Sequence, residues 1–529
     1  MAYRKNNVMQ VSLDDTFNQL SPRTQRIVMN SWAKPFADYV FPAINEDRFK
    51  PLYSDNPASR PSTPVNYVIG ALLIKELLGL TDEETVETVC CDIRAQYALH
   101  STSLEEQPIS DRTFSRFRER LYNYEMETGE DLLADEMKAL AEVFADHLKL
   151  DSSLRRMDSL MVASHCKSMS RLEIIYTTVA NCAKLMQELG CEDRIPGEMR
   201  HYLEKDDVNQ VIYYAKGEDA EPRLQKVIDE AVTMRDLMSD DSWHEFSQYQ
   251  LLIRVIREQT ETGDDGRHHP TGTGNIRSTS LQNPSDPDAT YRKKAGKDNK
   301  GYVGNIEETI GENGKSLITG FAFDQNNHSD AEYTREYIAE NQGGTMIADG
   351  AYGSTELQEE AEKKDIRLIT TSLTGKEPAE IAAEFVLSED GKTVLSCPEG
   401  EIPVSTSYYE KTEMIRAIFN KNTCENCKNK ANCIAKLLKT KAMVMISAKM
   451  VQRAAYLKKL GTEEYKELTK KRNAVEGIMS TLRRRYRVDE IPAFGRIRTK
   501  MFFNLKIGAF NIVKLIKHMP ESTCETAFA

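Results

Sequence analysis

The stretch from residue 301 to residue 370 alternates between strand-like and helix-like patterns, and this order limits the possible folds more than any other feature. Alternating apolar residues predict strands at 301–309 and 317–323, and the Asn313-Gly314 pair between them is typical of a hairpin turn. Further elements follow in the order helix 330–340, strand 345–348, helix 355–364 and strand 366–370. A hairpin followed by alternating helices and strands predicts an α/β sheet with antiparallel and parallel parts.

Residues 20–150 have the periodicity of helices and carry a first group of basic candidates. Thr81 and Glu84 have the pattern of a capping box that opens a helix over 84–97. After a polar loop, residues 110–121 predict an amphipathic helix whose polar face carries Arg112, Arg116 and Arg120. Two helices, a loop and a basic helix suit a helix-turn-helix DNA-binding domain, and equally a helical bundle with a solvated basic face.

The charge of the chain is unevenly distributed. The net charge of −12 argues at first against a nucleic-acid partner. Residues 468–517, however, contain thirteen Lys and Arg against three Asp and Glu. The global average therefore conceals a basic C-terminal segment that suits contact with phosphates.

The apolar content argues for a soluble protein. The longest apolar run, residues 67–74, is far shorter than the roughly 20 residues that cross a bilayer. The first residues lead into polar sequence without the apolar region of a signal peptide. We therefore expect a cytoplasmic protein with no membrane partner and with reduced thiols, among which Cys90 and Cys91 pack as small hydrophobic residues.

Four of the ten cysteines form a cluster in a region that is poor in strand patterns: Cys397, Cys424, Cys427 and Cys433. Four thiolates suit tetrahedral zinc, and such a site contributes to the folding of a small module. The gap between Cys427 and Cys433 is looser than in a paired Cys-x2-Cys ribbon. The sequence is compatible with three states of these cysteines: a structural Zn²⁺ site, four reduced thiols or an iron–sulfur cluster.

Three acidic residues lie at positions where the presence of a carboxylate calls for a functional explanation. Asp158 lies inside an otherwise apolar strand predicted over 157–163, where an unpaired carboxylate is costly. Asp349 follows the strand 345–348, at the edge where α/β sheets place ligands. Glu476 lies in a basic helix, four residues after Arg472. Considered alone, Asp158 also fits a structural residue at the end of a strand. Considered alone, Glu476 also fits a residue that only forms an i,i+4 ion pair with Arg472.

Blocks around these acids resemble those of the bacterial insertion-sequence DDE transposases, and the likeness extends from about residue 30 to residue 517. The order and spacing of the blocks are more specific than any one of them. The blocks are residues 156–159 (Arg-Met-Asp-Ser), 288–294 (Asp-Ala-Thr-Tyr-Arg-Lys-Lys) leading into 301–304, 347–354 (Ile-Ala-Asp-Gly-Ala-Tyr-Gly-Ser), 472–476 (Arg-Asn-Ala-Val-Glu), 494–496 (Phe-Gly-Arg) and 509–515 (Ala-Phe-Asn-Ile-Val-Lys-Leu).

The resemblance implies an RNase H-like catalytic domain in which Asp158, Asp349 and Glu476 meet. In such a domain the acids hold two Mg²⁺ (or Mn²⁺) ions that activate the attacking oxygen and stabilise the leaving oxygen of a phosphodiester. Similar transposases carry like-looking Cys-rich insertions. Phosphates are expected to contact basic residues near Glu476, unless these form only a solvated charge run: Arg472, Arg483, Arg484, Arg485 and Arg487.

Two positions differ from a related signature of the family. That signature has a tyrosine three residues before the arginine and a lysine seven residues after the glutamate. In this chain Thr469 and Arg483 stand at those positions, and Tyr465 is the nearest aromatic residue. The route of second-strand cleavage is therefore not predicted.

The expected fold class is α/β, with an RNase H-like mixed sheet and flanking helices. We predict a helical, DNA-binding domain over 1–150 and a catalytic core over 151–374, with a helical insertion at 183–257 and a linker at 263–288. A Cys-rich insertion over 375–445 and a basic, helical end of the core over 446–529 follow.

The predicted function is that of an insertion-sequence transposase that cleaves DNA and transfers strands. Its partners would be double-stranded DNA, both terminal inverted repeats and target, with a homodimer or larger assembly formed on DNA. Two alternatives are a catalytically silent DNA-binding protein derived from a transposase and a metal-dependent nuclease that only hydrolyses DNA.

Overall fold

The computed structural model describes residues 1–6, 15–56, 58–103, 107–150, 153–205, 207–213, 220–294, 296–311, 314–371 and 377–519. The α-helices in this part of the chain are α1 Pro22–Met29, α2 Ala33–Pro35, α3 Val65–Leu78, α4 Asp82–Cys91, α5 Ile93–Ala98, α6 Asp111–Thr128, α7 Leu132–Leu148, α8 Arg171–Glu188, α9 Ala220–Leu237, α10 Ser247–Gln259, α11 Asp330–Glu340, α12 Thr355–Lys363, α13 Lys421–Glu425, α14 Ala448–Leu460, α15 Glu463–Asn473, α16 Val475–Arg484 and α17 Arg496–His518.

The strands are β1 Leu154–Ala163, β2 Thr260–Thr262, β3 His268–Pro270, β4 Thr290–Lys294, β5 Lys297–Ile310, β6 Ser316–Gln325, β7 Thr345–Ala348, β8 Arg367–Thr370, β9 Val386–Leu387, β10 Val394–Ser396, β11 Ser405–Tyr409, β12 Met414–Asn420, β13 Lys436–Leu437 and β14 Lys441–Ile446. Short 3-10 or π segments are Phe36–Val40, Phe41–Ala43, Glu46–Leu52, Glu192–Arg194, Gly197–Leu203, Asn209–Tyr213, Asp241–Trp243, Thr273–Asn275, Gly350–Tyr352 and Glu380–Glu384.

The central sheet has the strand order β6-β5-β1-β7-β8, and β4 pairs with the first part of β5. Strand β5 is antiparallel to β1, β4 and β6, whereas β7 is parallel to both β1 and β8. The prediction of an α/β sheet with antiparallel and parallel parts is confirmed. Because β1 and β7 are parallel neighbours, the middle of β1 lies beside the C-terminal end of β7. Residues that follow β7 are therefore close to the middle of β1.

Each face of the sheet is covered by helices. Met157 and Val303 face a core that they share with α11 and α12. Leu160 and Ile306 face a larger core that contains residues of the N-terminal helices, α16 and α17. The N-terminal helices and one face of the sheet therefore share a single hydrophobic core.

Helix α17 is the element that joins these parts. It packs against α3, α7 and β6, and most of its length is buried. At Gly508 an added Cβ would lie 2.5 Å from the Met137 sulfur and 2.9 Å from a Leu73 methyl group, so glycine permits the close crossing. The Asn511 amide bonds both the N–H (3.0 Å) and the carbonyl (2.7 Å) of Ile318 in β6.

Two segments lie outside this body and have cores of their own. Helices α8, α9 and α10 enclose one such core, in the region predicted to be helical. The second lies between β8 and α14 and contains a four-stranded sheet in the order β11-β12-β14-β13. The expectation of few strands over 375–445 is thus wrong. Alternate residues of β12 are buried (Ile415, Ala417 and Phe419), a strand pattern that the cysteines obscured.

Other local predictions need correction. The helix expected over 84–97 divides at Asp92, whose carboxylate accepts a hydrogen bond from the Arg94 N–H and starts α5. Cys90 and Cys91 are exposed and do not pack in a core. The first part of the helical end predicted over 446–529 is divided into three helices, α14, α15 and α16. The predicted linker 263–288 contains β3, which pairs with β2 immediately before the linker.

Several details agree with prediction. Thr81 and Glu84 form the expected capping box at the start of α4. Of the predicted hairpin turn, Gly314 has the left-handed backbone that such turns need, with φ +76, while Asn313 lies outside the described residues.

The contact between Gly304 of β5 and Phe503 of α17 provides a test of this core. A Cβ at Gly304 would lie 2.6 Å from the fully buried Phe503 ring. We expect Gly304→Ala to lower the free energy of unfolding by about 1–3 kcal/mol through overpacking, measured by urea denaturation. Gly477→Ala, in open space on α16, should instead be neutral or slightly stabilising. Equal stability of the two variants would contradict this packing.

Candidate active site

Asp158 lies in the middle of β1, and its side chain is only 17% exposed. Its Oδ1 accepts a hydrogen bond of 2.9 Å from the backbone N–H of Ser159. Burial is the largest influence on this carboxyl and raises its pKa, whereas the charge of Arg472 and the Ser159 N–H act in the opposite direction. Burial thus opposes the charge of the Asp158 carboxylate, and Arg472 favours it.

Asp349 follows β7, the parallel neighbour of β1. Its Oδ1 accepts a hydrogen bond of 2.7 Å from the Gly350 N–H, and the chain then turns into a short 3-10 segment. The side chain is 48% exposed. The sheet thus presents one largely covered and one half-exposed carboxylate at the same edge.

Arg472 connects these aspartates to Glu476. Its Nη2 lies 3.4 Å from Oδ2 of Asp158 and 3.9 Å from Oδ2 of Asp349. Its Nη1 lies 3.5 Å from Oε1 of Glu476, whose side chain is 71% exposed. The i,i+4 pair of Arg472 and Glu476 is therefore present, but the same guanidinium also contacts the two other acids.

The position of Arg472 depends on a buried ion pair beneath it. Arg156, two residues before Asp158 in β1, pairs with the fully buried Glu308 of β5. The same Arg156 guanidinium donates a hydrogen bond to the backbone carbonyl of Lys471. This bond ties the end of α15 to the central strand. Helices α15 and α16 meet at Ala474, which lets Arg472 and Glu476 face the sheet edge together.

A polar network that the sequence pattern did not reveal adjoins the acids. Asp330, almost fully buried at the start of α11, accepts a hydrogen bond of 2.8 Å from the Ser159 hydroxyl. Arg292 lies 3.2 Å and Lys294 3.9 Å from the other Asp330 oxygen. Arg292 and Lys294 belong to one of the blocks that resemble the transposase family. Asp330 is not distinguished by the sequence, because acidic residues are common in the first turn of helices.

The predicted basic residues divide into two groups. Arg483, Arg484, Arg485 and Arg487 are exposed at and beyond the end of α16, whereas the Arg472 side chain is only 14% exposed. In the N-terminal region Arg112 and Arg116 are exposed on α6. Arg120 instead lies over the Tyr53 ring, with its guanidinium carbon 4.8 Å from the ring centroid.

The four clustered cysteines line one cavity of about 240 Å³. Burial raises the pKa of the Cys424 thiol, and Cys433, Cys397 and Cys427 raise it further. Among the residues that the structure describes, no group of three or more His, Cys, Asp or Glu is arranged closely enough to hold a metal ion, here or at Arg472.

Comparison with protein families bears on this site. A family model described as Transposase DDE domain matches residues 396–516, which include Arg472 and Glu476. A second, described as Transposase domain (DUF772), matches residues 26–120. These two matches indicate an insertion-sequence DDE transposase. Asp158 and Asp349 lie between the two matched segments.

Neither the curated proteins nor the solved structures gave a significant match to this chain. Within the described residues, no helix has the length and apolar character needed to span a membrane.

Proposed function

We propose that the transposase cleaves DNA at the ends of its own element and joins the freed 3′ ends to target DNA. Asp158, Asp349 and Glu476 would be its catalytic acids. The observation that carries this proposal is the meeting of all three carboxylates at the guanidinium of Arg472, although the acids are far apart in the sequence.

The order of the strands supports an RNase H-like core. An antiparallel unit (β6, β5 and β1) is followed by two parallel strands (β7 and β8), with Asp158 on β1 and Asp349 at the end of β7. Glu476 comes from a helix that packs against the sheet through Val475 and Ile478. In this arrangement the backbone of three different elements positions the acids.

The donor set suits Mg²⁺ or Mn²⁺. Both ions prefer oxygen ligands, and the three acids already surround one cation, the Arg472 guanidinium. Asp158, Asp349 and Glu476 would hold two such ions, which when bound stabilise charge on the attacking and leaving oxygens of the phosphodiester. Asp158 is fixed by β1 and the Ser159 N–H, while the more exposed Asp349 and Glu476 can adjust to the substrate.

Exposed arginines near the acids would hold the DNA. Arg483, Arg484, Arg485 and Arg487 follow Glu476 and point a positive surface to solvent, where phosphates bind with charge-assisted hydrogen bonds. Arg112 and Arg116 on α6 provide a second exposed basic surface. Since both element ends must be brought together, we also propose a dimer or larger assembly on DNA.

We further propose a structural Zn²⁺ held by Cys397, Cys424, Cys427 and Cys433. Its support is that the four thiols line a single cavity next to the core of the small sheet. Zinc would convert these thiols to thiolates and join the α13 region to the sheet.

Replacement of Asp349 tests the catalytic proposal. On a plasmid carrying the DNA that flanks the gene on both sides, we expect Asp349→Asn to lower Mg²⁺-dependent cleavage by about a hundredfold or more. Binding of the same DNA, measured by gel shift, should persist because the basic surfaces are intact. Asp390→Asn, at an exposed turn, is the matched control and should cleave normally.

The products separate the alternatives. Joined 3′ ends support a transposase, cleaved but unjoined ends indicate a nuclease, and a wild-type chain that binds DNA without cutting it indicates a silent descendant. Full cleavage by Asp349→Asn would contradict the assigned acid.

Metal analysis tests the cysteine site. The purified chain should contain about one zinc, measured by mass spectrometry, and Cys424→Ser/Cys427→Ser should lose it and unfold at lower temperature. Cys90→Ser/Cys91→Ser, which removes two exposed thiols, should keep the zinc. Equal zinc in both variants would contradict the site, and visible absorbance with iron would identify a cluster instead.

A further inference from the structure

We propose that Arg472 is an internal counter-ion of the acidic site. Its guanidinium holds Asp158, Asp349 and Glu476 together before divalent ions bind, and it leaves them when the ions arrive. This inference rests on the proposed function, because it takes the three acids to be the metal ligands.

The contacts of the acids lead to this role. In the described part of the chain, Arg472 forms the only ion pair of each of the three acids. Carboxylates that face one another repel, and a positive charge among them lowers this cost. A cation bound by the three acids would therefore compete with Arg472 for the same partners.

The surroundings of Arg472 suit a side chain that moves. Its backbone is held, because Arg156 bonds the neighbouring Lys471 carbonyl. Its Nε, in contrast, is buried without a hydrogen-bond partner among the described residues, so the acids hold only the end of the side chain. When the acids take other cations, nothing at Nε retains the guanidinium. It is then available to a DNA phosphate beside the same site.

Competition of this kind has a thermodynamic signature. A guanidinium that binds the acids must weaken their affinity for metal, and by linkage the metal must weaken the guanidinium contacts. Removal of Arg472 should therefore destabilise the metal-free protein while it strengthens metal binding. A side chain that only contacts DNA phosphate would change neither property in the absence of DNA.

The test is Arg472→Met, studied without DNA. We expect Mn²⁺, counted by electron paramagnetic resonance of the free ion, to bind about fivefold more tightly or better than to wild type. In EDTA the variant should unfold at a lower temperature than wild type, and added MgCl₂ should raise its unfolding temperature more than that of wild type.

Two further variants make the result specific. Arg118→Met removes another arginine that has a buried, unpartnered Nε and a bidentate pair with Asp82, and it should lose stability without any gain in Mn²⁺ affinity. Arg472→Lys keeps the charge and should fall between wild type and Arg472→Met.

Unchanged or weaker Mn²⁺ binding in Arg472→Met, with wild type binding normally, would overturn the counter-ion role and leave the proposed function intact. If Mn²⁺ binds wild type and Asp349→Asn equally, the acids are not metal ligands and the proposed function itself fails.

A separate surface supports a second inference: the structure assigns a DNA-contacting role to α1. Arg23, Arg26 and Ile27 are exposed on one side of this helix, and Arg94 joins them around a cleft of about 680 Å³. Helix α1 contains no acidic residue, and Ile27 is 58% exposed.

Double-stranded DNA is the partner that this chemistry fits. Arginine contacts phosphates and guanine edges, and a small apolar side chain contacts the thymine methyl group. The helix is firmly built, since Ser21 caps its first turn and Val28 and Trp32 anchor it in the core. Its outer side chains can change without loss of the fold.

Salt dependence of DNA binding tests this surface. For a fluorescein-labelled duplex of mixed sequence and the full chain, Arg23→Gln/Arg26→Gln should reduce the slope of log affinity against log salt by about 1.8. Ile27→Asp should also weaken binding, by charge repulsion. Arg194→Gln/Arg200→Gln removes the same charge from half-exposed arginines of the helical insertion and should leave the slope unchanged.

If wild type binds the duplex and the α1 variants bind it with the same slope and affinity, α1 does not contact DNA. Absence of binding by wild type would instead count against the proposed function.

Discussion

Mutual repulsion of three carboxylates is the constraint on which the acidic site depends. Asp158 is only 17% exposed, and its burial raises the pKa of its carboxyl, whereas the charge of Arg472 acts in the opposite direction. Arg472 provides a cation at distances of 3.4, 3.9 and 3.5 Å from the three acids. The helix that carries it is held to the central strand by Arg156. The buried pair of Arg156 and Glu308 thus supports the geometry of the exposed site above it.

The shared core has a second consequence. Helix α17 packs on the sheet through Phe503 and against α3 and α7 through Gly508, so the N-terminal helices and the sheet are parts of one packed body. Lys500 adds ion pairs with Glu125 and Asp131 across the same contact. DNA held by the N-terminal helices would therefore lie at a defined distance from the acids. The helical and Cys-rich segments have separate cores and extend from this body.

Much of the central fold was predictable from the sequence because its elements have clear periods. The strands that carry Asp158 and precede Asp349 combine short apolar runs with polar ends, and the predicted bounds of β7 agree with the structure. The strands of the Cys-rich segment were missed, since alternation in β12 is short and its neighbours are lysines and cysteines. Asp330 was also missed, because an acid that opens a helix is common and only tertiary contact with Ser159 and Arg292 distinguishes it.

The sequence by itself determined the order of helices and strands between residues 301 and 370, the three candidate acids and the basic character of the C-terminal segment. These follow from local patterns of apolar and charged residues. Only the tertiary structure decided that one guanidinium lies among all three acids, that α17 joins the N-terminal helices to the sheet, and which arginines remain exposed. Such facts depend on packing between residues hundreds of positions apart, and no local period contains that information.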